Sequence, residues 1–183
     1  SDNTDEFIKL FSKNAKFKIV YLNSDLRIGK SKMVNKLLDN ISGEYILECD
    51  SDDYLLSNSL NEMIKLLPKK KIENFAGVCG QNVDTKGVSQ TFKKKVPLKT
   101  KIFNWGELQN AIDGDATCLV PKSIFKYKRF LEVDFLITEG SLLNKLYKNK
   151  NFILSPKILK IMDRKADNSV SFGKKLSYTR GSF

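Results

Sequence analysis

The first third of the chain alternates two spacings of apolar residues. Apolar residues that recur every three or four positions predict amphipathic helices, and short continuous apolar runs predict buried strands. The predicted order is helix, strand, helix, strand, helix, over residues 5–12, 17–22, 30–42, 45–49 and 58–67. Strands that alternate with helices predict an α/β sheet, whose ligands lie beyond the carboxyl ends of the strands.

The pattern becomes more strand-like after Pro68. A strand, a turn and a returning strand predict a β-hairpin, and two short helices follow, over residues 75–83, 84–87, 88–96, 105–112 and 139–148. With 183 residues, the chain is long enough for one domain with a substantial core.

Composition places the chain among globular proteins, because 41% of its residues are hydrophobic and 29% are charged. No apolar run reaches the length of a membrane span and no segment has the pattern of a signal peptide, so we expect a cytoplasmic location. Histidine is absent, which excludes Ser-His-Asp and Cys-His catalysis within this chain. The cysteines are widely spaced among apolar neighbours, and we expect reduced core thiols at Cys49, Cys79 and Cys118.

The net charge of +11 belongs to the second half of the chain. Residues 1–67 hold 9 Lys and Arg against 11 Asp and Glu, whereas residues 68–183 hold 23 against 10. An anionic membrane, an acidic acceptor or solvent alone would each accommodate this basic excess. We expect no nucleic-acid partner, since no basic stretch is interleaved with aromatic residues that could stack on bases.

A short apolar strand ends in three carboxylates within the run Gly43-Glu44-Tyr45-Ile46-Leu47-Glu48-Cys49-Asp50-Ser51-Asp52-Asp53. The two-residue period of a strand puts Asp50 and Asp52 on one side of the chain. Carboxylate oxygens suit Mn²⁺ or Mg²⁺, and a metal held in this way commonly bridges to a diphosphate. A turn without a metal is the alternative, because Asp and Ser also favour turns.

The residues before this turn extend the pattern. Gly29 is followed by Asn35, then by a predicted helix, by Gly-Glu-Tyr-Ile at 43–46 and by Asp-x-Asp-Asp at 50–53. In this order the chain resembles the family-2 glycosyltransferases, which have the GT-A fold. The opening Ser-Asp-Asn-Thr at 1–4 is similar to the end of a turn in that family.

The resemblance implies an α/β fold of the GT-A type, a three-layer αβα sandwich. Its first strand, the helix that follows and the next strand would lie before Ser1, so the fold would be truncated at its amino terminus. It implies one domain over residues 1–183, with the remainder of the nucleotide-binding half in 1–67 and the acceptor-side half in 68–183.

The resemblance also implies a reaction, the transfer of a sugar with inversion from a nucleotide-diphosphate sugar, most commonly a UDP-sugar, to a hydroxyl acceptor. Mn²⁺ or Mg²⁺ is the implied cofactor, with Asp52 and Asp53 as metal ligands and with Asp50 and Asp52 as nucleotide-binding residues. The implied setting is the synthesis of a bacterial surface polysaccharide on a glycan or lipid-linked acceptor, at the inner face of the membrane.

The catalytic base of the family matches only in part. That base is usually the Asp of a Glu-Asp pair that opens a late helix, and here the pair reads Glu139-Gly140. Glu139 is the nearest substitute for the base. Its alternative role is to stabilise the first turn of the helix.

A late motif of the family is also incomplete. This chain keeps Arg164, Ser169 and Ser171 but has Asp163 and Ala166 where the family has an aromatic residue and a histidine. Since a histidine there could contact the metal or the diphosphate, we expect Arg164, or the lysine after it, to serve as the phosphate partner.

Other functions stay open. Gly140 and Ala166 would suit a catalytically silent homologue that binds sugar nucleotides. Gly-Lys-Ser at 29–31 is similar to the end of a phosphate-binding P-loop, but Ser24 occupies the position where a P-loop needs glycine. A nucleic-acid-binding module is suggested only by the basic charge, and this chain lacks the interleaved aromatic residues noted above.

Overall fold

The structure is a computed structural model that describes residues 3–24, 26, 28–92, 96–112, 114–132 and 140–163. The α-helices of this part of the chain are α1 (Thr4–Asn14), α2 (Lys30–Asn40), α3 (Ser59–Lys65), α4 (Trp105–Ala111) and α5 (Gly140–Tyr147). They match the five predicted helices to within a few residues at each end. Within the described residues, no helix combines the length and apolar character that crossing a bilayer requires.

Local sequence explains where helices begin. Asn104 and Glu107 form a capping box at α4, in which the Asn104 side chain accepts from the Glu107 N–H over 3.0 Å and the Glu107 carboxylate accepts from the Asn104 N–H over 2.9 Å. Gly29 precedes α2 with a φ of 81°, a left-handed conformation that a side chain would disfavour. The glycine of the Gly-x₅-Asn pattern therefore has a backbone role.

The described strands form a single sheet, and they are β1 (Tyr45–Leu47), β2 (Asp53–Leu55), β3 (Phe75–Asp84), β4 (Lys101–Asn104), β5 (Ala116–Pro121) and β6 (Asn151–Met162). Their order is β1-β5-β3-β6-β2, and β4 pairs with the first part of β6. β3 and β6 run parallel and the other pairs are antiparallel. It follows that β1, β3 and β6 point the same way, so their carboxyl ends share one edge of the sheet.

Helices cover both faces of this sheet. On one face, α2, α4 and α5 contribute Leu38, Leu108 and Tyr147 to the larger core cluster. On the other face, Met63 of α3 packs against Val78 of β3 in a second cluster. The α/β prediction is confirmed, and helices lie on both faces as an αβα sandwich requires.

The predicted buried strand at 17–22 is wrong. These residues belong to no strand, and Phe17 is 67% exposed. The preceding helix, α1, buries none of its residues. A strand is held by hydrogen bonds to a neighbouring strand, and the described residues place no strand beside 17–22.

The predicted returning strand at 88–96 is also wrong over its described part, although β3 and the turn at 84–87 are confirmed. Pairing ends after one isolated bridge between Val83 and Ser89. The Asn82 N–H then donates to the Thr91 side chain over 2.8 Å instead of to a strand carbonyl. The threonine hydroxyl thus takes the place of the backbone carbonyl that a paired strand would offer, and the strand pairing does not continue.

The expectation of three reduced core thiols is wrong for two of them. Cys79 of β3 lies directly opposite Cys118 of β5, with their Cα atoms 4.1 Å apart, and the two form a disulfide. Antiparallel pairing brings together cysteines that are 39 residues apart in sequence, which spacing alone does not reveal. Cys49 is a free thiol, but it is exposed rather than in the core.

Candidate functional site

The turn at residues 48–53, whose last residue is also the first of β2, connects β1 to β2 and leads from one end of the strand order to the other. The Asp53 N–H donates to the Asp50 carbonyl over 3.1 Å and closes the turn. Asp50 is exposed and Asp52 is half-buried, whereas the side chain of Asp53 is buried. The three predicted aspartates therefore follow one another just after the carboxyl end of β1, but each has a different environment.

Asp53 is paired with a lysine of the central sheet. The Lys160 ammonium, near the carboxyl end of β6, donates to Asp53 Oδ2, and the two side chains are 8% and 5% exposed. A charge that is buried to this degree requires a counterion, and each of these groups supplies one to the other. The pair fixes the place where β2 begins.

Asp50 is paired with a different lysine, at the surface. Lys30, the first residue of α2, has its Nζ 3.0 Å from Asp50 Oδ1 and 3.3 Å from Glu48 Oε1. All three side chains are about half exposed. Water and salt compete with such a contact, so the carboxylates can exchange their partner at little cost.

A groove of about 790 Å³ adjoins the turn. Apolar side chains of α2 and β1 line it, among them Val34, Leu37 and Ile46, together with the charged Lys30 and Asp50. A mostly apolar groove with a few charged groups is the usual form of a small-molecule site.

Cys49 adds a thiol to the turn. Its Sγ lies 3.6 Å from the Asp50 carbonyl oxygen and 3.7 Å from that of Asp53. Desolvation raises the pKa of this thiol, the positive charge of Lys160 opposes the rise, and the carboxylates of Asp53 and Asp50 add to it. The Cys49 thiol therefore reports on the charges on both sides of the turn.

The carboxylates of the turn supply only part of the ligand set of a divalent metal. Within the described residues, no three acidic or cysteine side chains converge to form a complete metal cage. Mg²⁺, however, is usually bound by one or two carboxylates with phosphate oxygens and water completing its shell. Asp50 and Asp52 on an accessible turn fit a metal that arrives with a diphosphate.

Asn35 of the Gly-x₅-Asn pattern holds two parts of the chain together. Its buried Nδ2 donates to the Phe130 carbonyl over 2.9 Å and to Glu132 Oε1 over 2.8 Å, and its Oδ1 accepts from the Phe130 N–H over 2.9 Å. The clamp joins α2 to residues 130–132. The sequence pattern marked Asn35 without indicating this partner.

The predicted residues Glu139 and Arg164 lie outside the described residues. Glu139 directly precedes α5, whose predicted position over 139–148 is confirmed by the helix Gly140–Tyr147. The roles of these two side chains stay predictions.

Sequence reasoning missed Lys160 as a partner of the turn. The signal was a lysine inside the apolar run Ile158-Leu159-Lys160-Ile161-Met162, where a buried lysine needs a carboxylate. Nothing in that run identifies the carboxylate, because Asp53 lies 107 residues earlier.

Comparison with known proteins agrees with the motif order. The sequence profile described as Glycosyl transferase family 2 matches residues 1–130, which include Asn35 and the turn. The chain is also similar to a GalNAc(5)-diNAcBac-PP-undecaprenol beta-1,3-glucosyltransferase of Campylobacter jejuni, with 29% identity over 157 residues. That alignment covers 84% of this chain and 49% of the relative, so the chain spans about half the length of the curated relative.

Proposed function

The chain belongs to glycosyl transferase family 2, and from this premise we propose that the whole protein transfers a sugar from a nucleoside-diphosphate donor to a hydroxyl acceptor. One observation carries the proposal: the family match over residues 1–130 contains the turn whose carboxylates lie at the carboxyl end of a strand. Ligands of open α/β sheets bind at such strand ends.

The proposed donor site is the turn itself. Asp50 and Asp52 would hold Mn²⁺ or Mg²⁺ beside the diphosphate of a UDP-sugar, because without a metal these carboxylates would repel the phosphates. A bound metal would supply positive charge that stabilises the departing nucleoside diphosphate. The metal role predicted for Asp53 stays a prediction, and in the structure its carboxylate is bonded to Lys160.

Lys30 has a second role in this proposal. In the structure it neutralises Asp50 and Glu48 at the surface of the turn. Its ammonium group would also offer positive charge to a phosphate oxygen of the donor, since an exposed lysine is a flexible point charge. Arg164 is proposed as a further phosphate partner, on its sequence position alone.

Transfer with inversion needs a base for the acceptor hydroxyl, and Glu139 is the proposed base. It directly precedes α5 in the chain. A base contributes about 10²–10⁴-fold to such a step.

The acceptor is proposed to be a glycan or a lipid-linked sugar, because the name of the Campylobacter relative describes an undecaprenol-linked acceptor. The basic excess of residues 68–183 would then face an anionic membrane. Binding of the whole protein to anionic liposomes should fall steeply with salt. If binding does not depend on the anionic lipid content, these lysines belong to an ordinary solvated surface and do not contact the membrane.

Calorimetric titration of the whole protein with UDP tests the donor site. We expect binding in the presence of Mn²⁺, little binding in excess chelator and a strong loss of affinity in Asp52→Asn. Equal affinity with and without chelator, or an unchanged affinity in the variant, would refute the metal-bridged site.

A silent sugar-nucleotide-binding homologue is the second candidate, favoured by Gly140 at the place of the family's base. Glu139→Gln separates the two. In an active transferase the variant should lose about 10²–10⁴-fold in kcat and keep its affinity for UDP. No turnover by the wild-type protein with any donor, together with metal-dependent UDP binding, would favour the silent homologue.

A further inference from the structure

The three aspartates of the turn are not equivalent. Asp50 and Asp52 have side chains that solvent reaches, while the Asp53 side chain is only 5% exposed and already bonded to an ammonium group. A ligand that approaches from solvent would meet Asp50 and Asp52 first. To bind a metal through Oδ2, Asp53 would have to leave Lys160 and strand a buried positive charge.

Lys160 is held firmly on its side of the contact. It lies on β6 between strands on both sides, in register with Asn82 of β3 and Leu55 of β2. Its neighbour Leu159 is 2% exposed within the second core cluster. The sheet therefore fixes the backbone of Lys160, and the burial of its side chain restricts where the ammonium group can lie.

Hydrogen bonds also attach the backbone after Asp53 to β6, next to Lys160. The Leu56 N–H donates to the Leu159 carbonyl over 3.0 Å, and the Ser59 hydroxyl donates to that same carbonyl. On the other side, the Asp53 N–H holds the Asp50 carbonyl at 3.1 Å. A displacement of Asp53 would thus be transmitted directly to Asp50.

We propose that Lys160 is a positioning residue of the donor site, which keeps Asp53 in the sheet so that the turn presents Asp50 and Asp52 to the metal and the diphosphate. This inference rests on the proposed function. Asp53 acts here as the counterion of Lys160 and not as a metal ligand. The role differs from the one that the sequence motif suggests for Asp53.

Replacing both members of the pair by uncharged amides shows whether Asp53 is the counterion of Lys160 or a metal ligand. Lys160→Gln leaves a buried carboxylate without its counterion, whereas Asp53→Asn together with Lys160→Gln replaces the ion pair by two amides that can hydrogen-bond. Lys157→Gln is the matched control, because Lys157 lies on the same strand with a side chain that is 57% exposed and bonded to Glu62.

Calorimetry with UDP and Mn²⁺ on the whole protein is the first measurement. We expect Lys160→Gln to lose about 10–100-fold in affinity, as is typical when a residue that orients a metal ligand is removed. The double variant should return to within about threefold of the wild type, and Lys157→Gln should match the wild type. If the double variant stays at least about tenfold weaker, Asp53 is a ligand and the proposal is wrong.

Hydrogen exchange at the Asp53 amide is the second measurement, and it needs no ligand. This amide should exchange faster in Lys160→Gln and return to the wild-type rate in the double variant. Unchanged exchange or unchanged affinity in Lys160→Gln would overturn the proposal. If Lys160→Gln does not fold, the double variant alone decides through its affinity.

The two measurements distinguish failure of the proposed donor site from failure of the positioning role of Lys160. Wild-type protein that binds no UDP with Mn²⁺ would refute the proposed donor site. The exchange rate of the Asp53 amide would still show whether Lys160 holds the turn.

Discussion

The aspartates at the turn form two lysine–aspartate pairs, which differ in their burial and in the elements that carry them. Lys160 and Asp53 are 8% and 5% exposed, on strands of the sheet, whereas Lys30 and Asp50 are 47% and 51% exposed, at the start of a helix and on the turn. The first pair cannot open without leaving a charge in the core. The second opens into water.

Because the two pairs differ in burial, they suit different tasks in a binding site. A buried pair is costly to break from one side, so it holds geometry. An exposed pair is worth little and is screened by salt, so its members can exchange partners with a ligand. A site that must be rigid and still release its product would use one of each.

Breaking the buried pair should have the largest effect. Lys160→Met is expected to lower the free energy of unfolding by about 3–5 kcal/mol, because Asp53 is left buried without a counterion. Urea denaturation measures it, with Lys157→Met as the control that changes an exposed lysine on the same strand. A loss below about 1 kcal/mol would mean that the pair behaves like a surface contact.

Asn35 is a buried polar side chain that carries no charge, so its removal should cost less than breaking the buried ion pair. Asn35→Ala leaves the buried main-chain groups of Phe130 without partners, and we expect a loss of about 2–3 kcal/mol. Asn40→Ala, on the exposed side of the same helix, is the matched control. Equal losses in the two variants would show that the effect comes from the helix and not from the clamp.

The exposed pair should matter little for stability. Lys30→Met is expected to change the free energy of unfolding by less than about 1 kcal/mol, because both side chains are half exposed. The same variant should weaken UDP binding in Mn²⁺, and the loss should shrink at high salt. A large loss of stability would show that Lys30 holds the turn as Lys160 does.

Cys49 reports on both pairs without a change in the fold. Since desolvation raises the pKa of its thiol, alkylation near pH 8 should be slower than for a free cysteine, and the rate should rise only at higher pH. Lys160→Met should raise this pKa further, because the charge of Lys160 opposes the rise. A thiol that titrates at or below its ordinary value would contradict this picture of the turn.

Much of the fold could be predicted from local pattern. The long apolar run of β3 and the helical spacing of α2 gave the right elements, since burial along the whole strand and one apolar helix face leave direct traces in sequence. Residues 17–22 have the same apolar character, and they form no strand because strand formation needs a partner that the run itself does not encode.

The sequence allowed the position of the turn to be predicted, but not the contacts of its side chains. The aspartates of the turn stood out because carboxylates at a strand end are recognisable. Their division into exposed and buried members depends on Lys160, and the disulfide depends on the register of β3 with β5. Such contacts join distant parts of the chain, and the motif carries no information about them.

Mn²⁺ binding to the whole protein, followed by electron paramagnetic resonance with and without UDP, tests whether the turn binds a metal together with a diphosphate. We expect weak binding of Mn²⁺ alone, at least about tenfold tighter binding once UDP is present, and loss of that gain in Asp52→Asn. Mn²⁺ binding that is equally tight without UDP, or a gain that survives in Asp52→Asn, would contradict the metal-bridged donor site.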